Sequence, residues 1–176
     1  MIRSVMIAAA LAVVASLAFA QQAAKKQPLS PPADTSVTIA GKSLAIKYSA
    51  PSMRGRKIFG GLEPYGKVWR AGANDATAFH TDADLDIAGL AVPKGDYTLF
   101  VWLDENQWQL IVNKQTGQSG MSYDQAQDLG RVKMTMSKPA APVETFKITL
   151  SAAGGNAGKL QMEWESTVAA VAITVK

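Results

Sequence analysis

From Arg131 to Val175 the chain alternates apolar and polar residues with a period of two, and that alternation leaves little choice of fold. Val132, Met134 and Met136 interleave with Arg131, Lys133 and Thr135, and Phe146, Ile148 and Leu150 with Thr145, Lys147 and Thr149. Leu160, Met162 and Trp164 alternate with Gln161, Glu163 and Glu165, and Val171, Ile173 and Val175 close the chain. Successive side chains of an extended strand point to opposite faces, so each run presents one buried and one wetted face, as in an antiparallel sheet. Ala152–Gly158 ("AAGGNAG") joins two of these strands as a loop.

Upstream the same period recurs. Val37 and Ile39 lead through an Ala40-Gly41-Lys42 turn into the partner strand "SLAIKYS". "TAFHTDADLDIAG" and "DYTLFVWLD" read as strands, and "WQLIVNK" pairs with the latter across Glu105-Asn106-Gln107. Pro93-Lys94-Gly95-Asp96 is turn chemistry. No window offers a helix of three turns, and no repeat or second domain is visible. Roughly nine short strands predict an all-β fold, an antiparallel β-sandwich of jelly-roll-like character.

The N-terminus reads differently. Arg3 precedes a mostly apolar run from Val5 to Phe19, and Ala18-Phe19-Ala20 supplies a small-x-small step. The run is shorter than the about 20 apolar residues of a membrane-spanning helix. Residues 1–20 are therefore expected to be a signal peptide cut after Ala20, and 21–33 ("QQAAKKQPLSPPA") a flexible leader. Residues 34–176 would then form one sandwich domain, periplasmic or extracellular, with no membrane span after cleavage. Without cysteine there is no disulfide, thiol nucleophile, thiolate metal site or lipidated N-terminus. Removing Arg3 leaves 17 basic against 14 acidic residues, a net +3, too mild to indicate nucleic acid or a membrane surface. Nothing in the sequence specifies an oligomeric state.

Two segments break the alternation: Pro51–Asp75 and Lys114–Gly130. Loops beyond about 15 residues are uncommon in compact domains unless functional or disordered. The first is too apolar for disorder, since Met53, Ile58, Phe59, Leu62, Tyr65, Val68 and Trp69 are equipped to dock on the sandwich. It also carries Arg54, Arg56, Lys57, Lys67 and Arg70 against Glu63 and Asp75. Arginine at a glycine-rich turn suits a carboxylate or phosphate, because its planar fork makes two parallel hydrogen bonds. Trp69 and Tyr65 are placed to stack on a sugar or ring. The competing reading has these arginines pinning the loop internally, against Asp124, Asp128 or the acidic strands.

His80 is the only histidine, and on a strand it shares a face with Asp82, Asp84 and Asp86. It is either a general base oriented by a carboxylate or a surface histidine, and no nucleophile signature accompanies it. "DADLD" fails the EF-hand pattern, with Ile87 where glycine and Pro93 where glutamate would be needed. One histidine and no cysteine argue against a transition-metal site, and no cofactor motif is present. Trp102, Trp108 and Trp164 fall at strand spacing, as core residues do.

"YSAPSMRGRKIFGGLEPYGKVWRAGAND", "VPKGDYTLFVW", "WQLIVN", "SYDQAQDLGRV" and "MEWE", in that order, resemble the bacterial secreted family known as domain of unknown function 2911. The resemblance runs from Ser30 to about Val175 and implies an exported, mainly β domain with no established activity. It puts the family's characteristic positions on Gly55, Arg56, Gly60, Tyr65, Gly66, Trp69, Arg70, Gly72, Ala73, Asn74, Tyr123, Asp124, Asp128 and Arg131. Leu129-Gly130 departs from it, where a larger apolar residue is expected before the arginine.

Three functions are compatible with these residues. The favoured one is a non-catalytic binding module for an anionic or polyhydroxy ligand, a small molecule or glycan. Arg56, Arg70 and Asn74 would hold it and Trp69 would pack on it, with Tyr65, Tyr123, Asp124, Asp128 and Arg131 completing the candidate site. The second is an envelope-acting hydrolase or isomerase with an acid/base pair drawn from Asp75, Asp124, Asp128 and His80. The third is a structural envelope protein in which the long loop is architecture.

Overall fold

The computed structural model describes residues 28–176. The expected signal peptide and residues 21–27 of the expected leader lie outside the described residues. Two antiparallel sheets face each other. The larger is ordered β1 (Pro32–Ile39), β2 (Lys42–Ser49), β4 (Thr77–Thr81), β7 (Gly95–Leu103), β8 (Gln109–Asn113), β9 (Asp128–Lys133), and β3 (Lys67–Trp69) also pairs with β7. The smaller is ordered β11 (Val143–Gly154), β12 (Ala157–Glu165), β13 (Thr167–Val175), β5 (Leu85–Ile87), β6 (Leu90–Val92), and β10 (Thr135–Ser137) also pairs with β13. A jelly roll exchanges strands between sheets throughout. Here exchange is limited to the β5–β6 hairpin and the switch after β9.

The β1–β2 and β7–β8 hairpins close where the turn residues place them, Ile39 facing Lys42 and Trp102 facing Gln109. β1 begins at Pro32, inside the stretch expected to be leader, and Pro32–Asp34 pairs with Lys47–Ser49. Proline is tolerated as the first residue of an edge strand, where its missing N–H interrupts no ladder. The core lies between the sheets. Leu44, Ile46, Phe79, Leu99, Val101, Leu110 and Val112 meet Phe146, Ile148, Leu160, Met162, Trp164, Val171 and Ile173.

"TAFHTDADLDIAG" is not one strand. β4 stops at Thr81 in the large sheet and β5 starts at Leu85 in the small one. The Thr81 hydroxyl donates to the Ala83 carbonyl and accepts from the Ala83 N–H, turning the chain between the layers. His80, Asp84 and Asp86 therefore do not share a strand face. Asp84 accepts from the Lys94 N–H, and Asp86 accepts from the Gly89 N–H and pairs with Lys176.

Pro51–Gly66 reaches from one sheet to the other across an end of the sandwich. On the small-sheet side, Met53 N–H donates to the Glu144 carbonyl and Phe146 N–H to the Pro51 carbonyl, both at 2.8 Å. Glu144 and Glu165 also accept the Arg54 and Ile58 N–H groups through their carboxylates, each at 2.8 Å. On the large-sheet side, Gly66 N–H donates to the Leu103 carbonyl at 2.8 Å. Between these anchors Phe59 enters the core, edge-on to Trp69, Trp108 and Trp164 at centroid distances of 5.8, 4.5 and 5.9 Å.

The Leu129-Gly130 departure also has a physical reason. A Cβ at Gly130 would lie 2.5 Å from Leu90 Cδ1, so the glycine makes room for the β6 side chain beside β9.

Candidate functional site

β3 and β4 lie along the same edge of β7. Trp69 faces Val101 and Thr77 faces Leu99, so the seven residues Arg70–Ala76 leave the ladder opposite Phe100 alone. This excursion is conformationally tight: Ala71 (φ 51°) and Asn74 (φ 59°) both occupy left-handed backbone that costs a non-glycine residue free energy. Its surroundings hold it there. Thr77 Oγ1 donates to the Ala71 carbonyl at 2.8 Å, and Ala73 N–H donates to the Ser49 carbonyl at 3.2 Å. Asn74 Nδ2 reaches Ser49 Oγ and the Ser30 carbonyl.

On its other flank the excursion meets the second irregular segment. Gly120 N–H donates to the Asn74 carbonyl, Ala76 N–H to the Gln118 carbonyl, and Asp75 bridges Ser119. A Cβ at Gly120 would fall 2.6 Å from the Asn74 carbonyl oxygen and 2.5 Å from Arg70 Cδ. Gly120→Ala is therefore expected to push the two segments apart. It should cost about 1–3 kcal/mol, the usual range for overpacking, read as a lowered midpoint of urea unfolding.

Where the two segments meet, a cavity of about 360 Å³ opens on the flank of the large sheet. Phe100, Leu103, Val68 and Met121 give it apolar walls, Tyr123 closes one side, and Glu63, Lys67 and Arg70 supply charge. Arg70 is half-buried, and its Nε donates to the Gly72 carbonyl at 3.3 Å. Its terminal nitrogens have no hydrogen-bond partner among the described residues. The five ion pairs found there join His80 to Asp82 and to Asp96, Arg131 to Asp128, Lys147 to Glu163 and Lys176 to Asp86. None of them uses Arg70, Lys67 or Glu63.

Tyr123 is held rigidly. Its ring meets Phe100 edge-on at 5.0 Å, and its hydroxyl donates to Asp128 Oδ2 at 2.6 Å while accepting from Arg131 Nη2 at 2.6 Å. Asp128 Oδ2 also accepts from Arg131 Nε and Nη2, and its Oδ1 accepts from Asn113 Nδ2 at 2.9 Å. The Arg131 guanidinium lies 6.0 Å from the Trp102 ring centroid, within cation–π range. Burial and the bond to Asp128 push the Tyr123 phenol up to about 12.

The sequence-predicted residues thus fall into different places. Arg70 and Tyr123 line the cavity, and Asp128 and Arg131 stand behind Tyr123 as its support. Arg56 is solvent-exposed and donates to the carbonyls of Met53 and Ser52 at 2.9 and 2.8 Å, closing its own turn. Asn74 fastens loops as described above, and Tyr65, 39% exposed, lies over Gly60 and is not part of the cavity wall. Asp124 caps the short 3-10 turn Gln125–Gln127 by accepting from the Ala126 N–H.

Trp69 differs most from expectation. It is 2% exposed, stacked on Trp164 at 5.8 Å and 21°, with Phe146 edge-on at 4.9 Å. A ring so enclosed forms the inner wall behind the cavity and does not lie flat on a ligand. Its indole N–H is buried without an acceptor among the described residues.

The acid/base set is not brought together. Both ring nitrogens of His80 are engaged, Nδ1 with Asp96 at 2.7 Å and Nε2 with Asp82 at 3.0 Å, on an exposed surface. These two carboxylates hold the imidazole above its ordinary value, with Asp82 the larger influence. Asp128 is saturated by Asn113, Tyr123 and Arg131, Asp75 sits at the Ser119 bridge, and none of the four candidates lines the cavity.

Sequence reasoning missed Phe100, Met121, Glu63 and Gly120 as site residues. Phe100 was signalled by the unbroken apolar run from Leu99 to Leu103, since a strand apolar on both faces is covered on both. Met121 and Gly120 depend on how two distant loops meet, which no local pattern encodes.

Residues 30–173 match the model of a family described as "Protein of unknown function (DUF2911)". No curated protein and no solved structure matches the chain. Among the described residues, no helix is long and apolar enough to cross a membrane.

Proposed function

The chain belongs to the DUF2911 family of proteins of unknown function, and from that premise we propose that it is an exported, non-catalytic binding module for a small organic anion. The reading is carried by Arg70. Its side chain lines a partly apolar cavity with its terminal nitrogens unengaged by any described residue, while Arg56 and Arg131 are satisfied internally. A cavity of about 360 Å³ lies within the ~300–1,000 Å³ usual for small-molecule sites. An arginine fork in such a cavity favours a carboxylate or phosphate whose carbon body lies against Phe100, Leu103 and Met121. Export is supported by the apolar Val5–Phe19 run followed by Ala18-Phe19-Ala20.

A panel of carboxylates and organic phosphates, read by thermal shift and calorimetry, tests this. A ligand at 100 times its Kd stabilises the folded state by about 2.7 kcal/mol, enough to raise Tm by several degrees. Arg70→Gln is expected to remove that rise without lowering the unliganded Tm. A panel leaving wild type and Arg70→Gln equally unmoved would count against the reading and favour pure architecture.

A further inference from the structure

Resting on that binding reading, we infer that the ligand is a zwitterion of the amino-acid class, its carboxylate held by Arg70 and its ammonium by Glu63. The two opposite charges line the same cavity yet form no ion pair with one another, so their charged groups stand more than 4.0 Å apart. Glu63 is anchored through its backbone, its N–H donating to the Ile58 carbonyl at 2.9 Å and its carbonyl accepting from Gly60 at 3.0 Å. Its carboxylate has no hydrogen-bond or ion-pair partner among the described residues. Structural carboxylates elsewhere in this chain behave differently: Glu144 and Glu165 accept loop N–H groups, and Asp128 is fully bonded.

A half-buried carboxylate without a partner is costly, and a ligand ammonium beside it removes that cost. Burial raises the Glu63 pKa and the Arg70 charge lowers it, burial being the larger influence, and no ion pair joins the two groups. A molecule bearing both an ammonium and a carboxylate complements this pair of opposite charges, and Phe100, Leu103, Val68 and Met121 offer apolar surface to its side chain. Met121, 80% exposed at the rim, is the wall most open to an incoming side chain. Lys67, the second cation of the lining, lies on the exposed side, where an acidic side chain would find it.

The test compares three probes of matched carbon skeleton on the full chain by calorimetry: leucine, isocaproate without the ammonium, and isoamylamine without the carboxylate. Leucine is expected to bind about tenfold or more tightly than isocaproate, and isoamylamine not to bind. Glu63→Gln should bring leucine down to the affinity of isocaproate while leaving isocaproate unchanged, and Arg70→Gln should remove both. The wild-type comparison stands even if a variant folds poorly. Equal affinity for leucine and isocaproate, with both lost in Arg70→Gln, would overturn the zwitterion and leave the anion site standing. Failure of all three probes, with the wider anion panel also silent, would overturn both. Tighter binding of glutamate than leucine, abolished by Lys67→Gln, would support the amino-acid class with an acidic side chain.

Discussion

Phe59→Ala is expected to cost the domain about 3–5 kcal/mol, the range for a large aromatic removed from a packed core. The reason lies in what Phe59 joins. It comes from a loop without regular structure, yet its ring packs within 6 Å of Trp69 in the large sheet, Trp164 in the small sheet and Trp108 at the entry to β8. Removing it opens a void at the end of the sandwich and takes away the aromatic ring that, beside the buried Ile58, fastens Pro51–Gly66 to the core. The hydrogen bonds from Glu144 and Glu165 keep the loop near its place, so the loss appears as a lowered denaturation midpoint with two-state behaviour retained. Because the excursion that carries Arg70 begins immediately after β3, the same variant should also weaken any ligand response. A Phe59→Ala protein with the wild-type midpoint would mean that the loop is not seated as described.

The sandwich was legible because its strands obey a two-residue period, and that period is local. β11, β12 and β13 appear where Phe146–Leu150, Leu160–Trp164 and Val171–Val175 alternate, and the hairpins close on their turn residues. Length misled where the chain changes sheets. Thr77–Gly89 keeps its alternation across Asp82–Asp84 although the backbone turns there, because a buried Thr81 hydroxyl can replace ladder bonds without disturbing the pattern. Alternation records which residues are buried and not which sheet buries them.

At the site, residue type was informative and residue role was not. Arginine, tryptophan and glycine in one segment pointed to Pro51–Asp75, part of which lines the cavity, but Arg56 and Arg70 look alike in sequence and differ in what lies within reach of their nitrogens. Trp69 read as a stacking platform because its neighbours are loop residues. It turns inward because it is the last residue of β3, paired with Val101, and shares the inner face of the sheet. The excursion Arg70–Ala76 itself, set against one residue of β7, is a tertiary event visible only once β3 and β4 are known to share an edge.

Asp128→Ala is the other substitution expected to have a large effect, about 3 kcal/mol of stability, because one carboxylate satisfies three different donors. Its loss takes an acceptor from the Arg131 guanidinium, the Tyr123 hydroxyl and the Asn113 amide at once in a partly buried cluster, leaving Arg131 only its bond to the Tyr123 oxygen and Asn113 its bond to the Asp124 carbonyl. Breaking a buried pair from one side typically costs 3–5 kcal/mol, and the 26% exposure of the Arg131 side chain places this case at the lower end. A second readout ties the loss to the network. Tyr123 is pushed up to about 12 by burial and by its bond to Asp128, so the folded state retains a proton that the unfolded chain gives up near pH 10. The raised value means that this stabilisation is complete below about pH 10 and is lost as pH climbs towards 12, where the folded state also ionises. In wild type, one tyrosine should therefore titrate late in the ultraviolet tyrosinate band, and stability should fall across that window. Asp128→Asn, which keeps the shape and removes the charge, should bring that titration earlier while retaining more stability than alanine. Tyr123→Phe should remove the latest step, leaving Tyr65 and Tyr97, which burial also raises. With Tyr123 freed from Asp128, its ring loses its fixed stance on Phe100, and the cavity beside Arg70 loses a wall.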